Sequence, residues 1–328
     1  MNYVFATQEQ TPGSGSILLL NIIFDKNNLI YLDLSRNLFY EIPAIVLKNK
    51  KSLRTLILRE NNIKSVDTLL ASEFPCLEKL DLGENKIMEL PLEMPPTLKY
   101  LDVEYNHIRS ISHLTLEKLN LTYLNMKSYY KDLVKNNIWS MKHLEELFQT
   151  IDSNTITLQS CENLKVLYVF FFGISQFNNF ESFVRKCQSL RTLELTFYGS
   201  LRNSNEIIIL NNIVLKELRM FSIFCDSMYK LNTSFLDNHK QLTDVSLSGE
   251  ITDLDKDTFK SQQRVLYIGL TSTKLEELPE TIFSYNSHLI KLNLQSNKLT
   301  NLSKNIFNNL KNLIILNLSK NQLTNLPE

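Results

Sequence analysis

Four cysteines and five histidines are the side chains best suited to nucleophilic or metal chemistry, and their spacing offers neither. Cys76, Cys161, Cys187 and Cys225 form no C-x-x-C pair and no cluster with histidine, so no metal site is expected. The histidines, at 107, 113, 143, 239 and 288, fall in unrelated positions and suggest no catalytic set. Gly13-x-Gly15 precedes no helix, so no phosphate-cradling loop is present. The chain therefore reads as a non-enzyme that needs no cofactor. What remains is oxidation, glycosylation and aromatic contact. N-x-S/T sequons stand at Asn120, Asn232, Asn301 and Asn317. Asn120, Asn232 and Asn301 are candidate glycosylation sites, although a chain this rich in asparagine carries such sequons by chance. Asn317 falls within a strand segment, where a glycan would block a face.

These residues are placed by a repeat. The pattern L-x-x-L-x-L-x-x-N-x-L begins at Leu29, Leu53, Leu77, Leu98, Leu289 and Leu313, with weaker copies at Leu121, Leu164, Leu190, Leu215, Leu242 and Val265. Starts lie 21 to 27 residues apart, except for 43 between Leu121 and Leu164. The second half adds Pro43, Pro91, Pro279 and Pro327, and Phe283 or Phe307. This is the leucine-rich repeat. L-x-L has a period of two, so leucines point inward from a strand and the intervening residues outward. Asn37, Asn61, Asn85, Asn106, Asn297 and Asn321 form a structural ladder, each turning the chain away from its strand while its amide bonds backbone groups left open by the turn. No copy buries its apolar stripe alone, so copies must stack. The expected fold is an α/β repeat: a curved horseshoe solenoid of about 12–13 repeats with a parallel sheet on its concave face.

Residues 1–16 read as a flexible leader and 17–328 as the solenoid, with an irregular centre over about 127–250. In the 43-residue gap, Leu144, Leu147, Phe148 and Ile151 have helical spacing after a possible cap at Ser140, and Leu144-x-x-Leu147 also fits the start of a decayed thirteenth copy; a degenerate copy with a convex helix is the favoured reading over an insertion. Across the centre the ladder asparagine is missing, which should loosen the register between copies. Ile17–Phe24 is a short apolar run with no basic residue before it, which fits a buried strand better than a signal peptide. The last copy stops at Leu326-Pro327-Glu328, so a fragment or a truncated relative is expected.

The irregular centre carries an aromatic face. Tyr168 and Phe170 follow Leu164 by four and six residues and should point outward, and Phe221 takes the matching slot after Leu215. Phe171 and Phe197 sit just past the strand ends. Elsewhere these slots hold polar residues such as Asp33, Asp81, Asp102 and Glu104. Contiguous exposed aromatics mark a ligand or partner site, so Tyr168, Phe170, Phe171, Phe197 and Phe221 are the candidate contact residues. The same register places Cys161 and Cys187 each three residues before a repeat start. Equivalent positions in adjacent copies stack roughly 5 Å apart, inside the range of about 4.4–6.8 Å that a disulfide accepts. They are a candidate disulfide, with two separate loop thiols as the alternative. Such a bond would need an oxidising compartment.

Lys and Arg number 35 and so do Asp and Glu, giving a net charge of zero. Sequence-independent electrostatic binding to nucleic acid or to an anionic membrane is thereby disfavoured. No apolar run reaches the ~18 residues of a membrane span.

The run Leu275 to Phe283 with its LPETIF segment, followed by the copies from Leu289 to Leu326, resembles the extracellular repeats of Toll and Toll-like receptors; Ile306-Phe307 repeats the Ile-Phe signature. The resemblance is of motif quality over about 250–328. It implies a ligand-binding ectodomain acting in innate immunity or development. A protein or lipid ligand would lie on the concave or lateral face, with receptor dimerisation and an extracellular or cell-surface location. Cys-rich caps, a membrane helix and a signalling domain are missing from the sequence, so signalling is not expected of this chain itself. The alternative is a cytoplasmic repeat scaffold for a regulatory protein.

Overall fold

Each copy of L-x-x-L-x-L makes one short parallel strand whose leucines face inward, and every later feature follows from that register. A computed structural model describes residues 3–5, 28–42, 50–66, 70–108, 116, 118–128, 141–151, 161–171, 177–198, 213–226 and 233–326. These fall into two units, 1–161 and 162–328.

The first unit holds β1 (Tyr3–Phe5), β2 (Tyr31–Asp33), β3 (Thr55–Ile57), β4 (Lys79–Asp81), β5 (Tyr100–Asp102), β6 (Tyr123–Met126) and β7 (Glu146–Ile151), with α1 (Leu70–Glu73) on a connection. Consecutive strands pair in parallel, with Val4, Leu32, Leu56, Leu80, Leu101, Leu124 and Leu147 in one row. Two readings meet the structure here. Tyr3–Phe5 lies in the presumed leader yet is a strand. Leu147 centres a strand, not a helix, so Leu144 opens a further copy. Residues 6–27, with the Ile17–Phe24 run, lie outside the described residues, as does Ser140.

The second unit holds β8 (Val166–Phe171), β9 (Thr192–Phe197), β10 (Met220–Cys225), β11 (Asp244–Gly249), β12 (Tyr267–Thr271), β13 (Lys291–Asn293) and β14 (Ile315–Asn317), with α2 (Phe177–Val184) and α3 (Ser234–Asp237) on connections. The row is Leu167, Leu193, Phe221, Val245, Ile268, Leu292 and Leu316. Phe221 occupies the slot that the sequence assigned to Leu218. Leu215-x-x-Leu218-x-x-Phe221 offers two starts three residues apart, and packing selects the second.

Where the ladder asparagine is present, strands are three residues long; where it is missing, β8 to β11 run for six. The expected loosening of register is thus not what the structure shows. Without an amide to take up the carbonyls at the bend, the backbone continues its own ladder: Tyr198 N–H donates to Phe171 O at 2.8 Å and Glu250 N–H to Cys225 O at 2.9 Å. β11 ends at Gly249, whose φ is +101°. A Cβ there would lie 1.8 Å from the Cys225 carbonyl oxygen, so only glycine fits.

Behind the strands of the second unit the core is aromatic. Phe180, Phe235, Phe259 and Phe283 are at most 2% exposed. The position three residues before each repeat start is an inward slot, filled in turn by Cys161, Cys187, Leu215, His239, Gln262, Asn286 and Leu310, all buried. At β14 the row residue Leu316 is 40% exposed, against none for Leu292.

Candidate functional site

Polar order comes first from the asparagines. Asn85 Nδ2 donates to Leu82 O at 3.0 Å in its own copy and to Leu58 O at 2.9 Å in the preceding one, while its Oδ1 accepts Ile63 N–H at 3.0 Å. Asn61, Asn106 and Asn321 repeat all three bonds. Asn297 donates to Leu294 O and Leu270 O, and Asn37 donates to Leu34 O. The residue before each ladder position is left-handed without being glycine: Arg36, Glu60, Glu84, Tyr105, Ser272, Ser296 and Lys320 have φ of 51–59°. Thr273 takes the asparagine slot after Ser272, and its hydroxyl donates to Asn297 Oδ1. The carboxylates seen in the sequence as an outward polar face also serve the bend. Asp33, Asp81 and Asp102 each accept the N–H two residues on, at 2.9–3.1 Å.

In the first unit those carboxylates gather around Arg59. Its guanidinium bonds Glu104 and Glu84, the latter at 2.7 Å, and lies 3.8 Å from Asp81 and 3.9 Å from Asp102. Gly83 makes the reach possible: a Cβ there would sit 2.5 Å from Arg59 Nη1. Lys127 adds a second cation 3.4 Å from Glu104. Asp102 is 3% exposed; burial, with Asp81 and Glu104 nearby, pushes its carboxyl up to about 6, against the pull of the Glu104 N–H and the Asn125 amide. Burial also raises Asp81. Burial pushes Glu104 up as well, but Arg59, Asn125 and Lys127 hold it below the ordinary value. Tyr100 and Tyr123 stack beside this network at 3.9 Å. The network is internally satisfied and reads as a brace across four copies.

The second unit offers the aromatic face, but not with the residues expected. Tyr168 and Phe170 alternate outward along β8 and are half-buried. Phe171, Phe197 and Phe221 are 0%, 3% and 4% exposed and belong to the core. Phe171 stacks on Phe197 at 4.7 Å and meets Phe180 edge-on at 5.1 Å, while Phe221 packs on Phe235 at 4.7 Å. The physical reason is parity. In six-residue strands the residue after Phe170 is still in the strand and turns inward, and the three-residue register shift in β10 carries Phe221 inward. The same shift brings out Phe224, which holds the Phe170 slot of its copy; Thr196, between them in register, is too short to fill it. Tyr198, 38% exposed, spans the gap, with ring centroids 6.3 Å from Phe170 and 6.0 Å from Phe224. Correct registration of Leu218 would have revealed Phe224 in the sequence. Tyr198 carried no such signal. Among the flanking outward positions Glu194, Ser222 and Ser246 are polar, while Met220 is apolar and 45% exposed.

Asn120 and Asn301 are exposed and Asn232 lies outside the described residues. Asn317 sits on the open face, bonded to Gln295 at 2.9 Å. Cys76 and Cys225 are free thiols, with burial pushing Cys225 up to about 12. Cys161 and Cys187 are each disulfide-bonded. Among the described residues no group of His, Cys, Asp and Glu is arranged for a metal, and no helix is long and apolar enough to cross a membrane.

Parallel single-strand copies, an asparagine ladder and a patterned open face define the leucine-rich-repeat fold. The chain's repeats resemble those of Toll-like receptors. Leucine rich repeat family models match residues 27–87 and 285–302. Toll-like receptor 2 of Boselaphus tragocamelus is 32% identical over 185 residues, covering 51% of this chain and 22% of the receptor. Podocan-like protein 1 of Homo sapiens is 29% identical over 110 residues, covering 30% of this chain and 22% of that protein. The chain thus spans about a fifth of the length of the curated relatives it matches. Among solved structures, TLR13 in its complex with ssRNA13 has a TM-score of 0.61 at 23% identity, over 91% of this chain and 50% of that one. An internalin, InlF of Listeria monocytogenes, has a TM-score of 0.52 at 19% identity, over 93% of this chain and 84% of that one. Both likenesses concern the fold.

Proposed function

We propose that this chain is a non-catalytic recognition module, a stretch of Toll-like-receptor-type ectodomain that binds a protein or lipid ligand on the open face of its second unit. The observation that carries the reading is the run Phe170–Tyr198–Phe224, with Tyr168, on the outward face of the second unit. Adjacent aromatic rings offer large contact area with little conformational entropy left to lose, and such clusters dominate binding energy where they occur. The location we infer is extracellular or cell-surface, with a role in innate immunity or development and with receptor dimerisation. Relatives named Toll-like receptor 2 support that role, and the oxidised state of Cys161 and Cys187 supports an oxidising compartment. We assign these two to one bridge. The balanced net charge argued against nucleic acid, but TLR13 was solved with an ssRNA. A single-stranded RNA oligomer therefore belongs among the ligands tested.

Selection from a displayed peptide library tests the reading, with the chain secreted through an added signal peptide. Binders enriched on the wild type should lose at least tenfold affinity for Phe170→Ser/Phe224→Ser while the melting temperature holds. Retained affinity would place binding elsewhere. Thiol labelling of the secreted protein should modify Cys76 but neither Cys161 nor Cys187.

A further inference from the structure

The second unit has a surface feature unrelated to its aromatic face. The turns that precede β11 and β12 enclose a depression of about 600 Å³ lined by Lys240, Gln241, Lys260, Ser261, Gln263 and Arg264. A cavity of that volume is ~10 Å across and falls in the range of ligand pockets, so its lining groups can reach one bound molecule. Three of the six residues are cations and none is a carboxylate. Of the nearby acids, Asp257 lies 3.6 Å from Lys260 and offsets part of its charge, and Asp237, which accepts the Ser261 hydroxyl at 2.6 Å, keeps its own. Lys240 and Arg264 are exposed and make no ion pair among the described residues. Gln241 anchors the wall, its amide donating to Leu215 O and Lys216 O at 2.9 Å each. Gln263 is exposed, its side-chain amide makes no hydrogen bond among the described residues, and its backbone carbonyl faces His288 Nδ1 at 3.1 Å.

A guanidinium fork, an ammonium and an amide donor converging on one concavity match a tetrahedral oxyanion: arginine engages two oxygens together, lysine acts as a point charge, and glutamine donates neutrally. We propose that this depression is a binding site for a small polyanionic ester, a sugar-sized molecule bearing sulfate or phosphate groups, held by Arg264 and Lys240 with Lys260 and Gln263 in support. The site is independent of the aromatic ladder, so either can fail without the other.

Isothermal titration of the full chain at low salt, with sucrose octasulfate and with inositol hexakisphosphate as probes, tests it. Saturable binding of either probe is expected, and the tighter one tells sulfate from phosphate esters. Because exposed charges are screened, affinity should fall as salt is raised. Lys240→Ala/Arg264→Ala should weaken binding at least tenfold, while Lys298→Ala/Lys311→Ala, which removes two cations outside the depression, should leave it unchanged. Since Lys240 and Arg264 are exposed, the melting temperature of the double variant should match that of the wild type. Equal affinity for both double variants, no saturable binding by either probe, or binding of single-stranded RNA without either small ester would overturn the assignment.

Discussion

At the scale of the residue, the asparagine and the left-handed residue before it act as one device. A side chain with a Cβ in that backbone region is strained by about 1–2 kcal/mol, and the bonds of the amide that follows offset the strain. Two outcomes follow. Asn85→Ala removes donors to two copies and the acceptor for Ile63 N–H, and it should lower stability by about 2–4 kcal/mol in denaturant melts. Ser296→Gly relieves the strain at φ 59° without touching a ladder bond, and should raise stability by about 0.5 kcal/mol, the unfolded chain's extra freedom taking back part of the gain. The ladder was legible because each asparagine recurs at a fixed offset from a leucine. The partner role of the left-handed residue was not, because Arg, Glu, Tyr, Ser and Lys share no side-chain property there.

At the scale of the element, strand length follows from what stands at the bend. Three-residue strands could be placed from L-x-L alone. The six-residue strands could not, because the pattern stops before their second half, and that half decides whether Phe171 and Phe197 face water or the core. The slip at Leu218 has the same origin: leucines three apart offer two equivalent registers, and the choice rests on Phe221 meeting Phe235. Gly249 closes the longest paired region. Gly249→Ala would force a Cβ onto the Cys225 carbonyl at positive φ, and should destabilise the second unit by about 2–4 kcal/mol, read as a lowered denaturation midpoint. The inward slot before each strand was also hidden, since Cys, Leu, His, Gln and Asn have little in common by type. His239 fills it as the neutral ring: Nδ1–H donates to Phe235 O at 2.8 Å and Nε2 accepts Leu215 N–H at 3.0 Å.

At the scale of the whole molecule, the two units should respond to acid with opposite signs. Burial raises the folded pKa of Asp102 to about 6, above its ordinary 3.8, so the folded state binds the proton more tightly. Asp102 should therefore add stability to the first unit as pH falls from 7 towards 4, by at most about 3 kcal/mol, and Asp102→Asn should remove that contribution. Burial lowers the folded pKa of His239 below 6.5, so the second unit should lose stability as pH falls through that value. Gln262 fills the same slot one copy on, so His239→Gln should abolish the loss without unfolding the unit. Hydrogen exchange at pH 7 and pH 5 separates the two responses, because each is read from its own strands. Fold class was legible across the molecule; the repeat count fell short, since 12–13 copies were expected and 14 strands are described, Tyr3–Phe5 lying where a leader was expected. The outward aromatic site was legible only at Tyr168 and Phe170. The most direct test of the account compares the affinity of one selected peptide ligand for the wild type, for Phe170→Ser/Tyr198→Ser/Phe224→Ser and for Phe171→Leu. The account predicts at least a tenfold loss with an unchanged melting temperature for the triple variant, and for Phe171→Leu a lowered melting temperature with affinity retained. Affinity unchanged in the triple variant, or lost only with Phe171, would contradict it.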